Sequence, residues 1–169
     1  ARSWGRRKDG FVFPVDISLT PIGDGAGRVV MAVVRDLSER REAQRRFRRL
    51  LESAPDAMVL TSASGHIVMA NGRAEQLFGY QPRELIGLHL ELLVPEPARP
   101  RHRLGFAAFW AHPRVQHLGG AGVEIRGLRK DGSTFPLEVD LGPLETEVGL
   151  LAVTSIRDLT DRRRAERER

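Results

Sequence analysis

Arg129-Lys130-Asp131-Gly132-Ser133-Thr134-Phe135-Pro136 is the stretch on which the fold turns, because Arg7-Lys8-Asp9-Gly10-Phe11-Val12-Phe13-Pro14 precedes it as an earlier copy. The same offset of 122 residues, Arg7 to Arg129, relates Pro21 to Pro143 and Arg35-Asp36-Leu37 to Arg157-Asp158-Leu159. One matched tetrapeptide is weak. A gap-free offset held over some forty positions is a repeat, and a repeat sets the organisation before any local reading does. The chain of 169 residues therefore reads as the last third of one unit followed by the whole of the next.

Working outward from the quoted stretch, residues 11–22 (FVFPVDISLTPI) alternate apolar and polar side chains, the pattern of a half-buried strand. Gly23-Asp24-Gly25 marks a turn, and 28–35 (RVVMAVVR) is a second strand. The pair recurs at 133–144 and 149–157. Residues 38–53 contain no Gly or Pro, and Ala43, Phe47, Leu50 and Ala54 form an apolar seam at helical spacing. Ser38 is placed to cap that helix, and Pro55 ends it. The complete unit continues with short strands at 57–62 and 66–70 and a helix at 72–78, capped by Asn71 and stopped by Gly79. A further short helix is expected after Pro82, and another at about 100–111. Gly119, Gly120 and Gly122 mark a loop before three closing strands and an outgoing helix. The order is β-β-α-α-α-β-β-β, which predicts an α+β domain: an antiparallel sheet with its helices on one face.

Composition narrows the function. With no cysteine, disulfides, thiolate catalysis and zinc–cysteine sites are excluded, which agrees with a cytoplasmic location. No apolar run reaches the ~18–20 residues of a membrane span, so no membrane contact is expected from this stretch. The net charge of +5 comes with arginines clustered at 35–49 and 157–169 and interleaved with Glu. Such mixed charge describes solvated helix faces rather than a nucleic-acid surface. There is no Walker loop, because Gly119, Gly120 and Gly122 lack a following Lys-Ser/Thr. There is also no G-x-S-x-G elbow, and the helix at 38–53 carries no histidine. His66, His89 and His112 have no metal-site spacing. The chain is read as a sensor segment, not an enzyme.

SAPDAM at 53–58, ANGRAEQLFGYQPRELIG at 70–87, LRKDGSTFPLEV at 128–139 and IRDLTDRR at 156–163 together resemble a PAS domain. The resemblance is complete over 47–160 and partial over 1–37. Residues 38–54 then form an amphipathic linker helix, and 161–169 begin an outgoing signalling helix. The resemblance implies a five-stranded antiparallel sheet with helices on one face, a ligand held between the two layers, and an effector such as a histidine kinase or nucleotide cyclase in the same polypeptide. It also implies a junction motif coupling sheet to helix. Asp158 and Thr160, and earlier Asp36 and Ser38, stand where their oxygens can cap the following helix, with Arg162 and Arg40 as the basic partners. A homodimer through the linker helix is the expected assembly.

His102 lies in PEPARPRHRLGFAAFW, on one helical face with Phe106, Phe109 and Trp110. The segment resembles the haem PAS domains of oxygen-sensing kinases, which implies His102 as an axial ligand, with His117 also matching that group. Ala108 and Val123 stand where that group carries arginines, so an empty or otherwise occupied pocket is the reading taken, with haem on His102 as the alternative. Flavin–cysteine photochemistry is excluded by composition. The expected pocket lining is Met58, Leu60, Met69, Phe78, Phe106, Phe109, Leu118, Ile125 and Val139.

Overall fold

The structure is a computed structural model that describes residues 3–23, 29–119 and 123–167. The readings at Asp24, Gly25, Arg28, Gly120, Gly122 and the final two residues lie outside these. The chain divides into two compact units, Ala1–Leu50 and Leu51–Arg169.

In the first unit, β1 (Ser3–Arg6), β2 (Val12–Ile22) and β3 (Val29–Asp36) form an antiparallel sheet in the order β1-β2-β3. Helix α1 (Ser38–Glu52) follows directly, and its last residues belong to the second unit. The sequence reading anticipates β2, β3 and α1; β1 is an addition. Ile17, Leu19, Val30 and Val34 of this sheet are exposed.

The second unit runs β4 (Ala57–Thr61), β5 (Ile67–Ala70), α2 (Gly72–Phe78), α3 (Arg99–Ala111), β6 (Gln116–Leu118), β7 (Ile125–Leu128), β8 (Thr134–Thr146), β9 (Gly149–Asp158) and α4 (Thr160–Arg167). Its antiparallel sheet has the order β5-β4-β9-β8-β6, and β7 also pairs with β8. Strands β6 and β7 occupy successive stretches of one edge of β8, opposite 139–141 and 134–137. Six strand segments therefore fill five sheet positions, the architecture expected from the sequence. The helix expected after Pro82 does not form. Residues 82–87 are turns instead, and Arg83 sits at φ 68, a left-handed conformation through which a right-handed helix cannot propagate. Short 3-10 turns at Leu90–Leu93 and Glu96–Ala98 lead into α3.

The repeat is reproduced strand for strand. Gly5 pairs with Phe13 as Gly127 pairs with Phe135, and Val15 pairs with Asp36 as Leu137 pairs with Asp158. The glycines have a steric reason. A Cβ on Gly127 would lie 2.8 Å from Phe135 Cζ, and one on Gly5 would lie 2.9 Å from Phe13 Cζ, so each ring needs a bare backbone across the ladder.

One face of the second sheet carries the core. Ala57, Val59, Ile67, Phe135, Leu137 and Ile156 pack with Ala74 and Phe78 of α2 and with Leu85 and Leu93. Helix α2 is held by local chemistry. The Asn71 side chain accepts from Ala74 N–H, and Gly79 closes the helix at φ 77 with its N–H directed to the Gln76 and Glu75 carbonyls, a left-handed cap that glycine adopts without strain.

Candidate functional site

Helix α3 presents His102 and Phe106 to a cleft of about 230 Å³, whose other walls are Gly65, His89, Leu90, Glu91 and Arg103. Gly65 has φ 81 in the turn between β4 and β5. His89 crowds against it, so closely that a Cβ on Gly65 would overlap the imidazole. The two chain segments are tied by a bridge between His66 and His89, whose rings meet edge-on at 5.4 Å. Arg103 reaches back from α3 to Glu91 through two hydrogen bonds, of 2.6 and 2.9 Å. That contact holds the Glu91 carboxyl below its ordinary range. The cleft is thus walled by a neutralised ion pair, imidazoles and one aromatic ring.

His102 Nδ1 is buried without a hydrogen-bond partner, as are Thr61 Oγ1 and Trp110 Nε1. Burial lowers the His102 pKa below its ordinary 6.5; Glu91 opposes that shift and His89 adds to it. The fold therefore holds a neutral imidazole, while the unfolded chain protonates near the ordinary value. The unfolded state binds more protons, so acid favours unfolding. This contribution is present above the ordinary value and is lost as pH falls below it toward the folded one. On acidification from about pH 7.5 to 5.5, a range that brackets ordinary histidine titration, the melting temperature of the native chain should fall more than that of His102→Leu. Parallel slopes for the two proteins would show that burial does not govern His102.

The other expected lining residues are distributed differently. Phe78 belongs to the packed core, Ile125 and Val139 pack against it, and Phe109 is buried on α3. Leu118 is 42% exposed. Leu60 pairs with Met69 and Val153, whereas Val59 pairs with Ala70 and Thr154. Cross-strand partners share a face and neighbours alternate, so Met58, Leu60 and Met69 lie on the face opposite the helices. Val59 and Thr61 take the positions assigned to them. His117 pairs with Asp140 at 2.6 Å, both half-exposed, on the same opposite face.

Haem does not fit His102 in this arrangement. The cleft is smaller than the ~300–1,000 Å³ of ordinary ligand pockets. His102 Nδ1 also lacks the carbonyl or carboxylate acceptor that orients a metal-bound imidazole.

The second feature is the junction where each sheet enters a helix. Asp158 Oδ1 accepts from the Thr160 N–H at 2.8 Å, and the Thr160 hydroxyl donates to the same oxygen. Asp36 accepts from the Ser38 N–H, also at 2.8 Å. Ser38 first, and Arg7 after it, hold the Asp36 carboxyl below its ordinary range. The backbone repeats as well: Leu37 N–H donates to Pro14 O, and Leu159 N–H to Pro136 O, each at 2.9 Å. At Asp158 the basic partner differs from the one expected. Asp36 pairs with Arg7 and Asp158 with Arg129, each at 3.0 Å, while Arg162 pairs with Glu166 on its own helix. The repeat carried the clue, since Arg7 and Arg129 are the first residues of its two matched tetrapeptides. Glu91 was not anticipated either, and no sequence signal singles it out.

A family model described as PAS domain matches residues 2–39 and 55–161. Sensor protein FixL of Bradyrhizobium diazoefficiens is 28% identical over 149 residues, covering 84% of this chain and 29% of that protein. An uncharacterized protein of Azorhizobium caulinodans is 34% identical over 122 residues, covering 72% of this chain and 16% of its own length. The chain thus spans less than a third of these relatives. Among solved structures, the PAS domain of an HTR-like protein from Haloarcula marismortui superposes with a TM-score of 0.57 at 24% identity, covering 70% of this chain and 98% of that one. A LOV protein of Rhodobacter sphaeroides gives a TM-score of 0.58 at 17% identity, covering 70% and 68%. Among the described residues, no helix is long and apolar enough to cross a membrane.

Proposed function

This chain belongs to the PAS domain family, and from that premise we propose that it is a sensory module that passes a change of state through its helices to an effector elsewhere in the polypeptide. The carrying observation is the doubled junction: β2–β3 enters α1, and β8–β9 enters α4, through the same capped Asp–Arg arrangement. In this reading residues 1–37 are the closing strands of a preceding PAS unit, 38–54 the linker helix, 47–160 the complete unit and 161–169 the start of the outgoing helix. The sensor-protein relative supports an effector such as a histidine kinase or nucleotide cyclase, with the catalytic step outside this chain. The input in this reading is a molecule smaller than the usual pocket ligand, met by the polar walls of the cleft at His102, and a cytoplasmic setting suits such a module.

The linker helix is the proposed dimer contact. A lone amphipathic helix of this length is marginal in water, and its stripe of Ala43, Phe47, Leu50 and Ala54 gains most from a second copy. Phe47 is half-buried within the single chain. Sedimentation equilibrium at tens of micromolar should show a dimer. Phe47→Glu should weaken it by at least about tenfold, since burying one Phe contributes roughly 1.5–3 kcal/mol. A monomer at every concentration would remove dimerisation from the proposal. Native mass spectrometry of the same sample tests the ligand, and a mass equal to the bare chain would leave a ligand-free regulatory module.

A further inference from the structure

Arg129 occupies a position that the junction alone does not require. It follows β7 at the start of the turn into β8. Its guanidinium lies 4.0 Å from the Phe135 ring centroid and is 28% exposed. One arm donates to Asp158 Oδ2 at 3.0 Å, and the other donates to the carbonyl of Leu77, in the last turn of α2. The planar fork of Arg makes two such bonds at once from a fixed geometry. Beside it, Lys130 N–H donates to Phe78 O at 2.9 Å, and the Lys130 ammonium pairs with Glu84. A single side chain therefore joins the C-terminus of α2 to the carboxylate that caps α4.

The molecule supplies its own control. In the first unit Arg7 pairs with Asp36 at the same 3.0 Å and lies over Phe13, at 5.1 Å. The unit's described residues contain no counterpart of α2, yet Asp36 still caps α1 through the Ser38 N–H. The ion pair and cap thus form in a unit whose described residues include no such helix. The bond from Arg129 to Leu77 is an addition to the junction rather than a condition for it.

We infer that Arg129 is the positioning residue that ties the last turn of α2 to the cap of α4, so that displacement of α2 is felt at the outgoing helix. This rests on the sensory reading above and assigns the route by which a change in the helical layer leaves the domain. Helix α2 is suited to that role because Ala74 and Phe78 seat it on the sheet while its C-terminal carbonyl is held by Arg129. Loosening its last turn should therefore disturb an element more than eighty residues away in sequence, from Leu77 to Thr160.

The test is a cycle read by amide hydrogen exchange in the whole chain. Gln76→Gly frays the exposed last turn of α2 mildly, and Gly79→Ala, which strains the left-handed cap, is the second perturbation should the first prove too weak. With Arg129 present, either change should speed exchange at Thr160–Arg163 by about fivefold, the scale of one disrupted helix turn. In Arg129→Lys, which keeps the charge beside Asp158 but cannot hold both acceptors, the same changes should have no further effect on α4. Arg7→Lys should leave the transmission intact. Equal effects in the native and Arg129→Lys backgrounds, or no effect at α4 in either, would overturn the inference. Dimerisation and ligand content, measured on the same samples, report on the sensory reading independently, so failure of one is separable from failure of the other.

Discussion

Replacing Asn71 by alanine should lower the stability of the second unit by about 3–5 kcal/mol, because it removes four hydrogen bonds to buried and part-buried backbone groups at once. Asn71 is 1% exposed. Its Oδ1 accepts from Met58 N–H at 2.9 Å and from Ala74 N–H at 3.0 Å. Its Nδ2 donates to Leu51 O at 2.9 Å and to Asp56 O at 3.0 Å. One amide thus fastens the residue that begins the unit, the approach to β4 and the first turn of α2. Ala74 N–H still reaches Asn71 O and Leu51 O still accepts from Ala54 N–H, so the loss falls mainly on Met58 N–H and Asp56 O, each costing ~1–3 kcal/mol where water cannot replace the partner. In urea, with a slope of ~1–3 kcal/mol/M for a domain of this size, the midpoint should move by about 2 M. Asn71→Asp should fall nearly as far at neutral pH. It keeps both acceptor bonds but sets a carboxylate against the carbonyls of Leu51 and Asp56. A loss under ~1 kcal/mol for alanine would mean that water enters and replaces these bonds.

Phe78→Ala should cost about 3–5 kcal/mol by a different route, that of a cavity in a packed core. Phe78 is 1% exposed and lies edge-on to Phe135 at 5.5 Å. The gap left by its ring would be bordered by Phe135, whose other contacts fix it. Gly127 leaves room for that ring across the ladder, and Arg129 lies over it at 4.0 Å. Neither neighbour can move far into the space, so little of the lost contact is recovered. Phe78→Leu retains most of the volume and should cost less than ~1.5 kcal/mol. Chemical denaturation separates this effect from that of Asn71. The midpoint should fall for both, but only Asn71→Ala should also speed amide exchange at Met58 and Ala74 beyond the global change. A Phe78→Ala protein as stable as the parent would show that the helical layer collapses onto the sheet freely.

Two helix-end residues show what was legible in the sequence. Asn71 and Gly79 stood out because capping is local: an Asn before a helical run and a Gly after it act on backbone groups within a few positions. The repeat was legible for a similar reason. Turn residues in Arg-Lys-Asp-Gly and alternating strands specify a hairpin largely by themselves, so two copies of the pattern produced two hairpins in equal register. What failed was everything that needed a choice between distant partners. Residues Ala57–Thr61 are almost entirely apolar and four of the five are buried, so the strand offered no alternation to say that Val59, and not Leu60, meets the helices. The stretch after Pro82 has helix-forming residues. Glu75 nonetheless accepts from the Arg83 N–H and Glu84 from the Gln81 N–H, and these contacts hold the chain in turns.

The sequence alone determined the repeat, the α+β class and the caps at Asn71, Gly79, Asp36 and Asp158, because each depends on groups a few residues apart or on strand periodicity. Only the tertiary structure decided which arginine serves Asp158. Arg162 is nearer along the chain, but the β8–β9 hairpin brings Arg129 to the carboxylate from 29 residues upstream. Helix α2 then offers the Leu77 carbonyl to the same guanidinium from 52 residues before it. The sheet face taken by Val59 and the cleft at His102 were decided in the same way. Each is a competition among chemically similar side chains, won by whichever the folded backbone carries into reach.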